Sequence, residues 1–95
     1  MNPSKEFVYG KATIPNGELY FESLGKGQAV IFIHAGFSDR RDWKYQFGKF
    51  GTTFNTIVYD QRGSGYSSSV TTAFSPAEDL KALMEHRELS AKLLT

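Results

Sequence analysis

The run "AVIFI" at residues 29–33 restricts this chain more than any other stretch. A strand with one wet face alternates apolar and polar residues, and this one does not. An unbroken apolar run rich in β-branched residues is the pattern of a strand covered on both faces. Strands of that kind belong to parallel sheets packed between helices. "FNTIVYD" at 54–60 is a second, shorter run of the same sort. The pair predicts buried strands over about 29–34 and 55–60. Between them lies "DRRDWKYQFGKF", where Trp43, Phe47 and Phe50 recur at i, i+4 and i+7. That spacing predicts a helix over about 39–50, with Asp39 as N-cap and Gly51 as the stop. Two strands joined through a helix run parallel, with a right-handed crossover.

The flanks differ in character. "EFVYGKATIPNGELYFESLG" holds two stretches of interrupted alternation, Val8, Ala12 and Ile14, then Leu19, Phe21 and Leu24. They predict a two-stranded ribbon over about 7–14 and 18–24 with one buried face. Asn16-Gly17 is the expected hairpin turn, a type I′ turn with positive φ at both central residues. "SPAEDLKALMEH" predicts a second helix over about 76–87, opened by a capping box with Ser75 as N-cap, Pro76 at N1 and Glu78 at N3. Leu80, Leu83 and Met84 share one face, which Arg87 interrupts. "ELSAKLLT" reads equally as a helix end, a short strand or a frayed tail. Outside a Ser/Thr-rich loop at 64–72 there is no repeat, linker or low-complexity segment. The fold class is therefore α/β: a β-ribbon followed by strand, helix, strand, helix, in one domain spanning residues 1–95.

Composition removes several classes of function. The chain is 95 residues long, 40% apolar and 15% aromatic, which is a globular composition. A domain of this size buries roughly 60–65% of its unfolded surface, so its margin is thin. A net charge of +1 provides no basic field to recruit nucleic acid or an anionic membrane. Cysteine is absent, which removes disulfides, thiolate metal sites and a thiol nucleophile. His34 and His86 have no metal-ligand spacing, so neither a metal nor another cofactor is expected. "MNPSKEFVYG" has no apolar leader, and no run is long enough to span a bilayer. A cytoplasmic protein is expected.

The chemistry rests on two motifs. "VIFIHAGFSDRRDW" followed by "FNTIVYDQRGSGYSS" and "FSPAEDLKALMEH" resembles the N-terminal segment of the α/β-hydrolase superfamily. Either motif alone is unspecific, since glycine turns after strands are common. A His–small–Gly turn after one strand and D-x-R-G-x-G-x-S after the next, in that order, is fairly specific. The resemblance covers residues 8–94 and about the first third of a typical member. It implies that the turn after "AVIFI" is an oxyanion loop, whose main-chain N–H pairs with that of the residue after the nucleophile. Carried over to this chain, the resemblance implies that the contributing amide is that of Gly36 or Phe37. The resemblance further implies that His34 braces this loop and is not the catalytic base. It also implies that Asp60, Arg62 and Gly65 shape the neighbouring loop. Ala35 stands where glycine is commoner. "GSGYSS" lacks the third glycine of a dinucleotide-binding turn, and no helix follows it directly.

No nucleophile accompanies the loop. "GYSSS" at 65–69 lacks the closing glycine of G-x-S-x-G and does not follow a strand, so Ser67 reads as a loop residue bonded to its own backbone. His86 reads as a solvated helical residue. The family's acid and base follow the nucleophile in chain order, and "AKLLT" stands where the next strand and the elbow are expected. The expectation is a partial hydrolase with an oxyanion loop but no catalytic residue, inactive alone, whose family hydrolyses small esters, amides or related bonds. Such a chain meets a small-molecule substrate only when completed by further sequence. The competing expectation is a non-catalytic interaction module. If the family sheet order holds, the second edge of "AVIFI" is open, and an open apolar edge invites self-association or a partner strand. Three outcomes follow for that edge: oligomerisation, cover by the C-terminal segment, or poor stability.

Overall fold

The computed structural model describes residues 7–88 and the backbone of residues 91–94. Thr95 and the first residues, read above for a leader, lie outside the described residues. The elements are β1 (Phe7–Ile14), β2 (Gly17–Leu24), β3 (Ala29–Phe32), a 3₁₀ turn (Arg40–Trp43), α1 (Lys44–Phe50), β4 (Asn55–Tyr59), α2 (Pro76–His86) and β5 (Ala91–Leu94). They form one mixed sheet in the order β1-β2-β4-β3-β5. β1, β2 and β4 are antiparallel neighbours, whereas β3 runs parallel to both β4 and β5.

The two-faced character of β3 shows in its packing. Ala29 and Ile31 join Ala12, Ile14, Leu19, Phe21, Ile57, Tyr59 and Leu83 on the face that carries α2. Val30 and Phe32 join Val58 on the opposite face, under Trp43, Phe47, Phe50 and Phe54. Every residue of β3 is buried, as an unbroken apolar run requires. The i, i+4, i+7 stripe of Trp43, Phe47 and Phe50 is the stripe that meets the sheet. Trp43 and Phe50 lie 4.7 and 5.3 Å from the Phe32 ring centre. Arg87, rather than ending the α2 stripe, extends it by laying its guanidinium 4.9 Å over the Phe21 ring.

Several details differ from the sequence reading. The hairpin closes at Ile14 and Gly17, so Pro15 and Asn16 are its central residues. Pro15 cannot adopt positive φ, which forbids type I′; Asn16 alone is left-handed, at φ 61°. The first helix opens as a 3₁₀ turn, because the Asp39 carboxylate caps the Arg41 N–H at 2.9 Å and its carbonyl takes the Asp42 N–H at 3.1 Å. β3 ends at Phe32 and β4 at Tyr59; the Asp60 N–H still donates to the Tyr20 carbonyl at 2.9 Å, while its carboxylate turns to Arg40 and Tyr66. Half of the capping box forms: the Glu78 N–H donates to Ser75 Oγ at 3.2 Å, with no return bond from the Glu78 side chain.

The expected open edge of β3 is not open. β5 lies along it in parallel register from Ala29–Ala91 to Phe32–Leu94, so the strand alternative for "AKLL" is the one adopted. Of the three outcomes anticipated, the structure has cover by the C-terminal segment. No helix among the described residues is long and apolar enough to cross a membrane.

Candidate functional site

β3 and β4 are parallel, so the loops that leave them, 33–39 and 60–75, emerge side by side at the sheet's carboxyl edge. His34 joins them. Its Nε2 accepts the Gln61 N–H at 2.9 Å, and its Nδ1 lies 2.6 Å from the Ala35 carbonyl. With Nε2 accepting, the ring proton sits on Nδ1 and is donated to Ala35. Gln61 returns the link by donating its side-chain amide to the His34 carbonyl at 2.6 Å. Both ring nitrogens are committed to the backbone, and the residue is 3% exposed. His34 holds the loop and has no nitrogen left to take a proton from a nucleophile.

Asp60 is the other centre of the edge and is fully buried. Its Oδ1 accepts the Arg40 N–H at 2.8 Å, and its Oδ2 accepts Arg40 Nη1 at 2.9 Å and the Tyr66 N–H at 3.0 Å. Burying a carboxylate at this depth requires such partners. Gly65 makes the enclosure possible. At φ 48° its absent Cβ would fall 2.2 Å from Asp60 Oδ2. Ser67 is not bonded to its own backbone, as the sequence suggested. Its hydroxyl donates to the Asp60 carbonyl and accepts the Tyr20 N–H at 2.8 Å. Ser68 continues the attachment through both backbone and Oγ to Glu18. Residues 67–68 therefore run along β2 as a strap, leaving the Ser67 oxygen bonded twice on a half-buried residue.

Arg62 does not reach this cluster. Nε and Nη2 form a fork on Asp79 at 3.0 and 2.9 Å, while Nη1 and Nη2 donate to the Asn16 and Pro15 carbonyls at 3.1 and 2.7 Å. The residue ties α2 to the β1–β2 turn. The Asp79 hydrogen bond holds the guanidinium pKa above its ordinary value against the opposing pull of burial. His86 lies on the exposed side of α2 with its ring against Phe21, centroids 6.2 Å apart.

Gly36 and Phe37 occupy the crest of the first loop. A turn spans them, closed by the Ser38 N–H on the Ala35 carbonyl at 3.1 Å. Neither the Gly36 nor the Phe37 N–H donates a hydrogen bond among the described residues. The Phe37 side chain is fully exposed, and nothing lies within 4 Å of where a Gly36 Cβ would be. A hollow of about 500 Å³ adjoins the loop, lined by Ile33, His34, Ala35, Asp42 and Trp43. A larger one, about 730 Å³, runs past Phe37 and Ser38 toward Phe47. Neither is lined by a hydroxyl together with an imidazole. The described residues also contain no group of three His, Cys, Asp or Glu arranged to hold a metal.

Arg40 is the residue the sequence reading missed. "DRRDW" reads as a helix start, and only Asp39 fulfils that role: Arg41 grips its carboxylate through Nε and Nη2, lowering its pKa to about 2. Arg40 turns inward. Besides Asp60, it reaches Glu22 Oε2 through Nε at 3.1 Å and lies 4.7 and 4.8 Å from the Tyr20 and Tyr66 ring centres. The Tyr20 hydroxyl, half-enclosed and hydrogen-bonded to Glu22, has its pKa pushed up to about 12.

Comparison with known proteins gives a consistent picture. No family model matches the chain. A protein described as a non-heme chloroperoxidase of Synechocystis sp. is 31% identical over 81 residues, spanning 81% of this chain and 29% of the relative. A thermophilic esterase from Thermogutta terrifontis superposes with a TM-score of 0.76 at 32% identity, covering 85% of this chain and 32% of the esterase. A bromoperoxidase from Bacillus anthracis gives 0.83 at 31% identity, covering 90% and 34%. The chain thus spans about a third of the length of the proteins it matches.

Proposed function

We propose, from the premise that this chain carries the N-terminal part of the α/β-hydrolase fold, that its 34–39 loop is an oxyanion loop. The observation that carries this reading is the pair of main-chain N–H groups at Gly36 and Phe37. They lie at the carboxyl end of the parallel strands β3 and β4, make no hydrogen bond within the described residues, and belong to a loop held from below by His34. Donors fixed in that way gain most when negative charge develops on a substrate oxygen, and one such donor changes the rate by about 10²–10³-fold. In acyl transfer the second donor is the N–H following the nucleophile. The substrate class is a small ester, amide or related bond.

These residues do not supply the attacking group. Ser67 Oγ is engaged by both Asp60 and Tyr20, His34 uses both nitrogens on backbone, and no G-x-S-x-G occurs. The 95-residue chain is therefore inactive by itself and meets its substrate only with a nucleophile and base from further polypeptide. The test is incubation with p-nitrophenyl acetate, butyrate and a set of activated amides. No saturable turnover above buffer is expected. Saturable hydrolysis abolished by Ser67→Ala overturns the reading.

A further inference from the structure

The segment from His34 to Arg40 is tied at both ends to the exit of β4. Its first end is the His34 link to Gln61 through both backbone and side chain. Its second end is Arg40, whose backbone N–H and guanidinium take both oxygens of the adjacent Asp60 at 2.8 and 2.9 Å. Between the ends, the described bonds are the Ser38–Ala35 turn, the His34 ring on the Ala35 carbonyl, and the Asp39 cap on the Arg41 and Asp42 N–H groups, so Gly36 and Phe37 depend on the two ties for their place. Two consecutive residues at the exit of β4 thus hold the two ends of the stretch that presents Gly36 and Phe37.

We propose that Arg40 is a positioning residue: through Asp60 it sets where the Gly36 and Phe37 N–H groups stand. This rests on the oxyanion reading of those amides and goes beyond it in naming what aims them. The guanidinium suits the task because three elements fix it at once. Glu22 on β2 takes Nε, Asp60 takes Nη1, and the Tyr20 and Tyr66 rings, 5.2 Å apart and nearly perpendicular, line its flanks. Lysine cannot reproduce it. An ammonium is a point charge without the planar fork, and it stacks on rings less well. In an Arg40→Lys variant the backbone bond to Asp60 stays, the charge stays, and the rigid second tie is lost.

The experiment is ¹⁵N relaxation on the full chain, comparing wild type with Arg40→Lys and Arg40→Ala. A rigid backbone has an order parameter of about 0.85 and a flexible one less than about 0.6. The expected result is a fall below about 0.6 at Gly36, Phe37 and Ser38 in Arg40→Lys, with β3, β4 and Gln61 unchanged. Millimolar guanidinium, filling the vacated space in Arg40→Ala, is expected to restore part of the loop's order where urea does not. Unchanged loop order in a folded Arg40→Lys overturns the proposal, as does an equal loss of order throughout β3 and β4. Should Arg40→Ala fail to fold, Arg40→Lys alone decides. Because the readout is loop order rather than turnover, its failure leaves the donors untouched. A completed enzyme indifferent to those donors would in turn defeat the oxyanion reading and leave the anchor standing.

Discussion

Asp79→Ala probes the attachment of α2 to the rest of the sheet, and its cost is worked out from the contacts of Arg62. The Arg62 and Asp79 side chains are 4% and 7% exposed, and among the described residues their forked bond is the one charge-to-charge contact of that guanidinium. Removing one partner of a buried ion pair costs about 3–5 kcal/mol, because the other is left charged without compensation. Here the Pro15 and Asn16 carbonyls still accept two bonds, which places the expectation at the low end, about 3 kcal/mol. At roughly 0.05–0.15 kcal/mol per residue, a chain of this length has about 5–14 kcal/mol in all. The substitution therefore removes a large share. Equilibrium urea unfolding, followed by far-UV circular dichroism and by the fluorescence of Trp43, gives the value. In the double-mutant cycle with Arg62→Met, the two single losses should exceed the loss in Arg62→Met/Asp79→Ala by about 2 kcal/mol, since the double variant buries no lone charge. An Asp79→Ala loss under about 1 kcal/mol, with no coupling in the cycle, would show Arg62 to be solvated and refute this reasoning.

Two glycines of the candidate site should respond oppositely to alanine. Gly65→Ala drives a methyl into Asp60 Oδ2 at a left-handed position and should cost at least about 2 kcal/mol, whereas Gly36→Ala enters open space and should stay within about 0.5 kcal/mol, both read from urea midpoints. Alkali should weaken the fold through Tyr59, which is 2% exposed and whose pKa is pushed from 10.0 up to about 12 by burial and then by Asp79. The folded state keeps that proton longer than the unfolded one, so stability falls as pH rises from about 10 to about 12, by about 2–3 kcal/mol. Thermal melts across that range, compared with Tyr59→Phe, isolate the contribution, and equal slopes for the two proteins would contradict it.

The sequence made the sheet legible and left its loop wiring hidden, for a physical reason. An apolar run such as "AVIFI" or the Trp43–Phe47–Phe50 stripe reports its environment locally, because burial on a face depends on the residue's own period. Bonds between loops have no period. Arg40 meets Tyr20 and Glu22 on β2 and Asp60 and Tyr66 in the 60–75 loop, two segments distant from it in sequence, and nothing in "DRRDW" distinguishes it from Arg41, which stays at the surface. Arg62 was legible as a residue of the "DQRG" motif, but its partners Pro15, Asn16 and Asp79 were not. The hairpin turn slipped by one residue because Pro15 limits φ more strongly than Asn16-Gly17 favours type I′. β5 was ambiguous since four residues are too few to show a pattern, and its pairing with β3 decides the matter.

We propose that the Gly36 or Phe37 amide holds developing negative charge and that these residues carry no attacking atom. It is tested most directly by grafting residues 8–94 in place of the matching third of the Thermogutta terrifontis esterase. The N–H at position 36 or 37 is then replaced by an ester oxygen through semisynthesis. The graft is expected to hydrolyse p-nitrophenyl esters, and one of the two replacements to lower kcat by about 10²–10³-fold with little change in KM. A folded, active graft whose kcat is untouched by both replacements would contradict it.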